Sequence, residues 1–481
     1  MTSLPLVGRD AELARVRALL ADAIGGVGGA LVLDGAPGAG KSRLLDEAVR
    51  VGADHGFEVR RAAGRVVERH IDGAVVSQLV GHHDTSPPAV HDAVCAAARR
   101  RPVLWAVDDV QWGDPASVAA VAYAARRLVG HSAAVLLALG AEPLGGERSA
   151  GSSATRQALD GLERLHIDGL DANAVLALFE CIAGSLHPPV APRVVELTGG
   201  LPMAVVELAR LSTPEQRSGD VPFPDLPAVS EAMVRAFAGP LVQLPEPTRR
   251  VLCVVAAEPS GQVDVVARAV AALGESFADL EPAEAAGVVV VRDGRVVFDH
   301  PMRRVVAYAS LALPSRRAAH RALAAAWSGP DDSAHRLRHR VAGAAGPDDQ
   351  LADDLQLLAE HLQRSGRLRE AVEAWRHAGQ LSIDAARCAQ RAKSSTEAQR
   401  QLDSRRDELA GPLSTLSKAE LRVARVIAEG LSNRQAAERL FVSAKTIDAQ
   451  LQAIFRKLAV NSRAQLAVLV TRHDMAGGGA R

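Results

Sequence analysis

Apolar and polar residues alternate along this chain with periods that change from segment to segment. Ala30-Leu31-Val32-Leu33 is an unbroken apolar run stopped by glycines, and beyond them Leu44, Leu45 and Ala48 recur at helical spacing. A strand, a glycine loop and a helix are therefore predicted in that order. A second strand-like run, Pro102-Val103-Leu104-Trp105-Ala106-Val107, ends in Asp108-Asp109, and a third, Val135-Leu136-Leu137-Ala138-Leu139, ends in Gly140-Ala141-Glu142. Gly287-Val288-Val289-Val290-Val291 and Val296-Val297-Phe298 flank Asp293-Gly294, a dipeptide that accepts the positive φ of a two-residue hairpin turn. Leu351, Leu355, Leu358 and Leu362, then Ser365-Gly366, then Ala371, Trp375 and Ala378 predict a helix pair. Residues 385–412 are polar and mixed in charge, the pattern of a linker.

Near the C-terminus, Leu421, Ala424 and Ile427 keep helical spacing until Gly430 interrupts it. Ser432 can cap a second, short helix holding Ala436 and Leu440; Phe441-Val442 make a turn, and Ser443 can cap a third helix. In that helix Ile447, Leu451, Ile454 and Leu458 form one apolar stripe, which leaves Lys445, Asp448, Ala449, Gln452 and Arg456 on the opposite face. A capped amphipathic helix after a tight turn is the geometry with which helix-turn-helix proteins enter the major groove. Charge agrees: residues 414–472 carry ten Lys plus Arg against four Asp plus Glu, whereas the whole chain has net charge zero. The positive charge is local, as phosphate binding requires.

A chain of 481 residues has room for three or four domains. No apolar run reaches the ~18 residues of a membrane helix, and Arg9, Asp10 and Glu12 interrupt any leader, so a cytoplasmic protein away from membranes is expected. Cys95, Cys181, Cys253 and Cys388 lack the spacing of a zinc site or a disulfide framework and read as inert core thiols. His70, His82, His83 and His91, with Asp72 and Asp84, fit no helix or hairpin ligand set and read as a solvated loop. Only five lysines occur; three lie in the basic C-terminal segment, one in the linker, and the fifth is Lys41.

Lys41 completes Gly35-Ala36-Pro37-Gly38-Ala39-Gly40-Lys41-Ser42. Glycines at these positions let successive backbone N–H groups converge on a phosphate at a helix N-terminus. Lys41 then supplies an ammonium to the β- and γ-phosphates of ATP or ADP, and Ser42 a hydroxyl to Mg²⁺. A strand ending in paired acids assigns Asp108 to the metal and Asp109, the candidate catalytic acid, to the attacking water.

These motifs, with Val7-Gly8-Arg9-Asp10-Ala11-Glu12-Leu13 before them and Thr198-Gly199-Gly200-Leu201-Pro202 behind, resemble the signal-transduction ATPases with numerous domains (STAND), and more narrowly the large ATP-binding LuxR-family regulators. The C-terminal segment resembles the LuxR-type helix-turn-helix through Leu416-Ser417-Lys418-Ala419-Glu420, Gly430-Leu431-Ser432-Asn433, Ala436-Ala437, Thr446-Ile447, Lys457-Leu458 and Arg463. Gln450 and Ala459 depart from the usual His and Gly. The resemblance implies that Val7, Gly8 and Arg9 lie against the adenine, that Pro202 sits on a helical lid, and that His300 of Asp299-His300-Pro301 approaches the β-phosphate. It implies that Asp448, Ala449 and Gln452 face base edges while Lys445, Thr446, Arg456 and Lys457 hold phosphates. Gly140-Ala141-Glu142 stands where relatives commonly place an arginine that senses the γ-phosphate, so hydrolysis is expected to be slow or absent.

The expected architecture is multidomain α/β plus α. It comprises a P-loop NTPase domain with a parallel sheet (1–185), a helical lid (186–235), a winged-helix-like domain (236–325), a short tetratricopeptide-like (TPR-like) region (326–384), a linker (385–412) and a tetrahelical LuxR-type helix-turn-helix (413–475). The expected function is an ATP/ADP-switched transcriptional regulator, a slow ATPase at most. Its implied partners are double-stranded promoter DNA, further copies of itself on DNA, and RNA polymerase. Two alternatives are a DNA-stimulated ATPase and a non-hydrolysing nucleotide-binding scaffold that modulates related regulators.

Overall fold

The structure, a computed structural model, describes residues 6–140, 150–187, 190–219, 221–329, 332–410, 416–428, 431–440, 442–458, 460–463 and 465–470. Gly430, Phe441, Ala459, Ala141 and Glu142 of the motifs above lie outside them. The chain divides into two compact units, Met1–Gly343 and Ala344–Arg481.

The first unit is organised by a five-stranded sheet of β1 (Gly29–Gly35), β2 (Glu58–Ala63), β3 (Val103–Asp108), β4 (Ala133–Gly140) and β5 (Glu163–Ile167), all paired parallel in the order β2-β3-β4-β1-β5. Side chains of a strand point alternately to its two faces, and the core follows that period. Leu31, Leu33, Leu104, Ala106, Leu136 and Ala138 enter one apolar cluster, whereas Val32, Trp105, Val107, Val135 and Leu137 enter another. The first cluster is shared with the helices Asp10–Ile24 and Lys41–Asp54 and runs on without a break into the helices Glu246–Ala257 and Val263–Ala272. β4 is buried along its whole length between β1 and β3. The ends of β1, β4 and β3 therefore lie side by side where parallel sheets bind ligands.

Helices Ala172–Ala183, Ala191–Thr198 and Pro202–Leu211 share a third apolar cluster through Val175, Phe179, Val194, Val205 and Leu208. Helix Ala172–Ala183, which precedes the expected boundary at 186, packs in the same cluster as the two helices after it. Strands β6 (Val289–Arg292) and β7 (Arg295–Phe298) form the antiparallel wing, with Asp293 at φ 53° and Gly294 at φ 70° in its turn. Helix Ser333–Gly343 belongs to the first unit: the Nδ1 atoms of His339 and His320 lie 2.9 Å apart in its interior, so the expected 326–384 region does not act as one piece.

In the second unit, helices Asp349–Arg364 and Leu368–Leu381 form the expected pair. Residues 385–412, expected as a linker and partly helical, hold the 26-residue helix Ala385–Ala410. Arg391 and Ala398 are buried on it two turns apart; Ala398 enters the cluster of Ala371 and Trp375, and Arg391 bonds Gln356, Ser382 and Asp353. The chain then forms helices Lys418–Ala428, Asn433–Leu440 and Ala444–Leu458 around Ala424, Ile427, Ala436, Ile447, Leu451, Ile454 and Leu458, a core completed by Leu466 and Val470. Among the described residues no helix is long and apolar enough to cross a membrane.

Candidate functional site

At the strand ends of the first unit lies a cavity of about 550 Å³, within the range of small-molecule clefts. Pro37, Gly38, Ala39, Gly40, Lys41 and Ser42 line one wall. Gly38 and Gly40 take φ of 77° and 97°, a left-handed backbone that side chains rarely accept, and this turns the chain sharply into the helix Lys41–Asp54. Gly35 and Ala36 stand behind the wall, where their carbonyls accept Lys41 Nζ–H at 2.8 and 2.9 Å. Burial pushes the Lys41 ammonium below its usual range, opposed by the charges of Asp109, Asp34 and Asp108. A desolvated cation held only by carbonyls is matched to an anionic ligand.

Opposite the loop, Ser42 Oγ donates to Asp108 Oδ1 at 3.1 Å. Burial raises the Asp108 carboxyl above the usual carboxylate range, and the neighbouring Asp109 charge adds to the rise while the Ser42 hydrogen bond counters it. A hydroxyl and a carboxylate converging in this way are a hard-oxygen pair suited to Mg²⁺, whose charge would restore the ionised form. Asp109 faces the cavity with φ 48°, a left-handed conformation strained for a residue with a side chain. Its Oδ1 accepts Gln111 Nε2–H at 2.8 Å, while Gln111 Oε1 accepts the Gly140 N–H at 2.7 Å. A Cβ on Gly140 would lie 2.6 Å from Gln111 Nε2, so this end of β4 is shaped to admit the amide. Gln111 is buried and went unnoticed in the sequence, because its two partners meet it only through the strand order.

Val7 and Arg9 line the cavity, but Gly8 does not: a Cβ there would fall 2.4 Å from Ala174 Cβ, so Gly8 permits close packing on the lid. Arg9 is buried, donates to the carbonyl of Ala39 at 2.9 Å and pairs with Glu12 at 2.7 Å, bracing the glycine loop from outside. From the lid, Pro202, Met203 and Val206 reach the cavity, and the Met203 N–H donates to Gly38 O at 3.2 Å. His300 does not line the cavity. It stands behind the Gly199-Gly200 turn, stacks on Phe237 at 5.3 Å, and accepts the Met302 N–H on Nδ1 at 3.0 Å. Burial lowers its pKa to about 4, with the Arg303 charge adding to the fall, so it is neutral near pH 7. Arg235, two residues before Phe237 on helix Glu231–Phe237, does line the cavity and pairs with Glu231 at 3.3 Å. No local motif marked it.

In the second unit, Lys445, Thr446, Asp448, Ala449, Gln452, Arg456 and Lys457 are all exposed on helix Ala444–Leu458. Ser443 caps that helix, accepting the Thr446 N–H at 3.0 Å, and Ser432 with Gln435 forms a capping box on helix Asn433–Leu440. Three of the seven are engaged within the domain: the Thr446 and Ser443 hydroxyls lie 2.7 Å apart, and Asp448 and Lys457 have partners of their own. Asp448 Oδ1 accepts Asn433 Nδ2–H at 2.6 Å, and Asn433 is held in turn by Arg463, which also donates to Leu431 O at 3.1 Å. Lys457 Nζ donates to Glu420 Oε2 at 2.7 Å, lowering the Glu420 pKa to about 2. Lys445, Gln452 and Arg456 are the other exposed polar side chains of this face.

Residues 5–137 match the family model described as an AAA ATPase domain, and residues 414–470 that of bacterial regulatory proteins, luxR family. The nitrate/nitrite response regulator protein homolog of Haemophilus influenzae is 45% identical over 58 residues, 12% of this chain and 28% of that protein. The oxygen regulatory protein NreC of Staphylococcus aureus is 44% identical over 55 residues, 11% of this chain and 25% of its own. The chain thus spans about a quarter of the length of these curated relatives. Among solved structures it is similar to a Walker-type ATPase of Pyrococcus abyssi (TM-score 0.40, 15% identity, 63% of this chain and 96% of that one). It is also similar to a STAND protein with a tetratricopeptide repeat sensor from Pyrococcus horikoshii (TM-score 0.31, 12% identity, 99% and 68%).

Proposed function

We propose that this chain, with an AAA ATPase domain at one end and a LuxR-type DNA-binding domain at the other, is a transcriptional regulator whose binding to promoter DNA is set by the nucleotide in the glycine loop. The observation that carries the switch is the contact of lid and loop: Met203 N–H on Gly38 O at 3.2 Å. The lid turn in its turn rests on His300, since a Cβ at Gly199 would lie 2.7 Å from His300 Nε2. A change at the phosphates therefore reaches the winged-helix region through one turn of chain. Two shapes that differ in nucleotide affinity are all that such a switch needs.

In this reading ADP favours the closed arrangement of loop, lid and winged region, and ATP opens it and favours self-association. Paired C-terminal domains then meet a two-part DNA site with higher effective concentration than one domain has alone. Lys41 holds the β- and γ-phosphates, and Ser42 and Asp108 would hold Mg²⁺, which when bound neutralises developing charge on the phosphates. Asp109, steadied by Gln111, orients water for slow hydrolysis that resets the switch. Arg235 supplies the phosphate-facing charge expected, and not found, at Gly140. On DNA, Gln452 and Ala449 face base edges while Lys445 and Arg456 hold phosphates; Asp448 reads bases only if it leaves Asn433.

The test is DNA binding by fluorescence anisotropy on fragments selected from the source genome, in ATP and in ADP. The expected result is an affinity difference of about tenfold or more, abolished in Lys41→Ala together with nucleotide binding. Equal affinity in both nucleotides would remove the switch and leave the DNA-binding regulator standing.

A further inference from the structure

Far from the nucleotide, the first unit brings together three metal-ligating side chains that are scattered in the sequence. His91 and Cys95 stand four residues apart on helix Pro87–Ala98, and therefore on one face of it. The third, His131, sits in the tight turn before β4, fixed by its own N–H on Leu128 O at 2.9 Å and by its carbonyl, which accepts the Ala133 N–H at 2.9 Å. One ligand atom from each of the three lies within 4.8 Å of the other two. His91 Nε2 and Cys95 Sγ are 3.4 Å apart, and the imidazoles of His91 and His131 meet edge to face at 6.0 Å.

We propose that His91, Cys95 and His131 form a binding site for a thiophilic divalent transition metal of the Zn²⁺ class. Bond lengths of about 2.0–2.1 Å to nitrogen and about 2.3 Å to sulfur place ligand atoms roughly 3.3–3.6 Å apart around a tetrahedral ion. The His91–Cys95 pair already has that separation, and the His131 ligand atom, within 4.8 Å of both, needs to close by at most about 1.5 Å. Two imidazoles and a thiolate are a borderline-to-soft set, which favours zinc, cobalt or copper over magnesium or calcium. The tautomer is also provided for. His91 Nε2 must be free of its proton to ligate, and Asp92 Oδ1, 3.4 Å from Nδ1, is placed to accept the proton held there. A carboxylate behind a ligating histidine is the usual outer partner of such sites. Without metal, Nε2 is shared between Cys95 Sγ at 3.4 Å and the Arg127 carbonyl at 3.3 Å, and metal binding replaces the second contact.

The site stands at the start of β4, whose other end, Gly140, borders the nucleotide cavity. The strand's length puts about 25 Å between the two. The metal is therefore not part of the phosphate chemistry; it clamps helix Pro87–Ala98 to the turn that sets β4.

The full chain, stripped with chelator and titrated with Co²⁺ alone, tests this. One Co²⁺ per chain should bind, with a thiolate-to-cobalt absorption band that Zn²⁺ displaces. The band should vanish in Cys95→Ser and weaken at least tenfold in affinity in His131→Ala, a change at a partly exposed side chain, while nucleotide affinity stays within twofold. Zn²⁺ at one equivalent should raise the melting temperature of the parent protein and not that of His131→Ala. No thiolate band in the parent protein would overturn the proposal, as would a band that persists in Cys95→Ser through another thiol such as the exposed Cys181.

Discussion

Gln111 uses both ends of its amide, one on Asp109 and one on the backbone of Gly140. If Asp109 orients water, losing that hydrogen bond leaves the carboxylate free to rotate in a strained backbone. Gln111→Ala is expected to lower ATP turnover about 10- to 100-fold with nucleotide affinity changed less than threefold, read by steady-state phosphate release beside equilibrium binding. A loss of affinity as large as the loss of turnover would place Gln111 in structure instead. Two histidines, one buried and one partly buried, carry a pH prediction. Burial lowers His300 and His320 to about 4 each, with the Arg303 charge contributing at the first and His339 at the second. The unfolded chain binds protons on these groups near pH 6.5, so it gains protons first as pH falls. Stability should therefore fall from pH 6.5 to about 4, by about 2 kcal/mol per histidine at pH 5. Denaturant unfolding of the parent protein and of His320→Gln should show a shallower pH slope in the variant. At this scale near neighbours in sequence were enough to expect Lys41, Ser42 and Asp109 at one cavity and Asp108 beside Ser42, where the fold puts them. Gln111 and Arg235 are ordinary polar residues until the fold brings Gly140 and the cavity to them.

Helix Ala385–Ala410 offers little apolar periodicity because, among its described side chains, few are buried, and one of these is an arginine. Arg391→Ala removes a buried cation from Gln356, Ser382 and Asp353 at once. It should destabilise the second unit by about 2 kcal/mol, followed through Trp375 fluorescence; an unchanged midpoint would mean that this helix is not packed as described. On helix Ala444–Leu458 the side chains should separate by their partners. Lys445→Ala is expected to weaken all DNA sequences alike and reduce the salt slope by about one, whereas Gln452→Ala should relax preference at one base pair. Lys457→Ala, by contrast, should leave the salt slope nearly unchanged, since Lys457 is already paired with Glu420. Equal slopes for Lys445→Ala and the parent protein would remove Lys445 from the phosphate contacts. The apolar stripe and the serine caps were readable because helix geometry alone sets them.

The first unit buries its ATPase and winged-helix regions in one apolar cluster, while the second unit has clusters of its own. A ligand stabilises what it binds, by about 2.7 kcal/mol at a hundredfold excess over Kd. ADP with Mg²⁺ should therefore protect residues 6–343 against limited proteolysis and raise the thermal transition of that unit, leaving the transition of residues 344–470 in place. Both transitions rising together would mean that the two units unfold as one. The contact between Ala172–Ala183 and the helices after it, and the division at residue 343, are not marked by any local pattern. Domain limits depend on which apolar faces meet, and a face does not name its partner.

The sequence alone determined the local chemistry: a glycine loop before a helix, paired acids at a strand end, a hairpin turn, and a capped basic helix near the C-terminus. Each depends on backbone geometry and on side chains within a few residues. Tertiary structure alone decided that β4 lies between the loop and the acids, that Gln111 and Arg235 face the cavity, that His300 stands behind the lid turn, and that His91 and Cys95 meet His131. These are contacts across tens to hundreds of residues, fixed by the burial of apolar faces against one another and not by any local pattern.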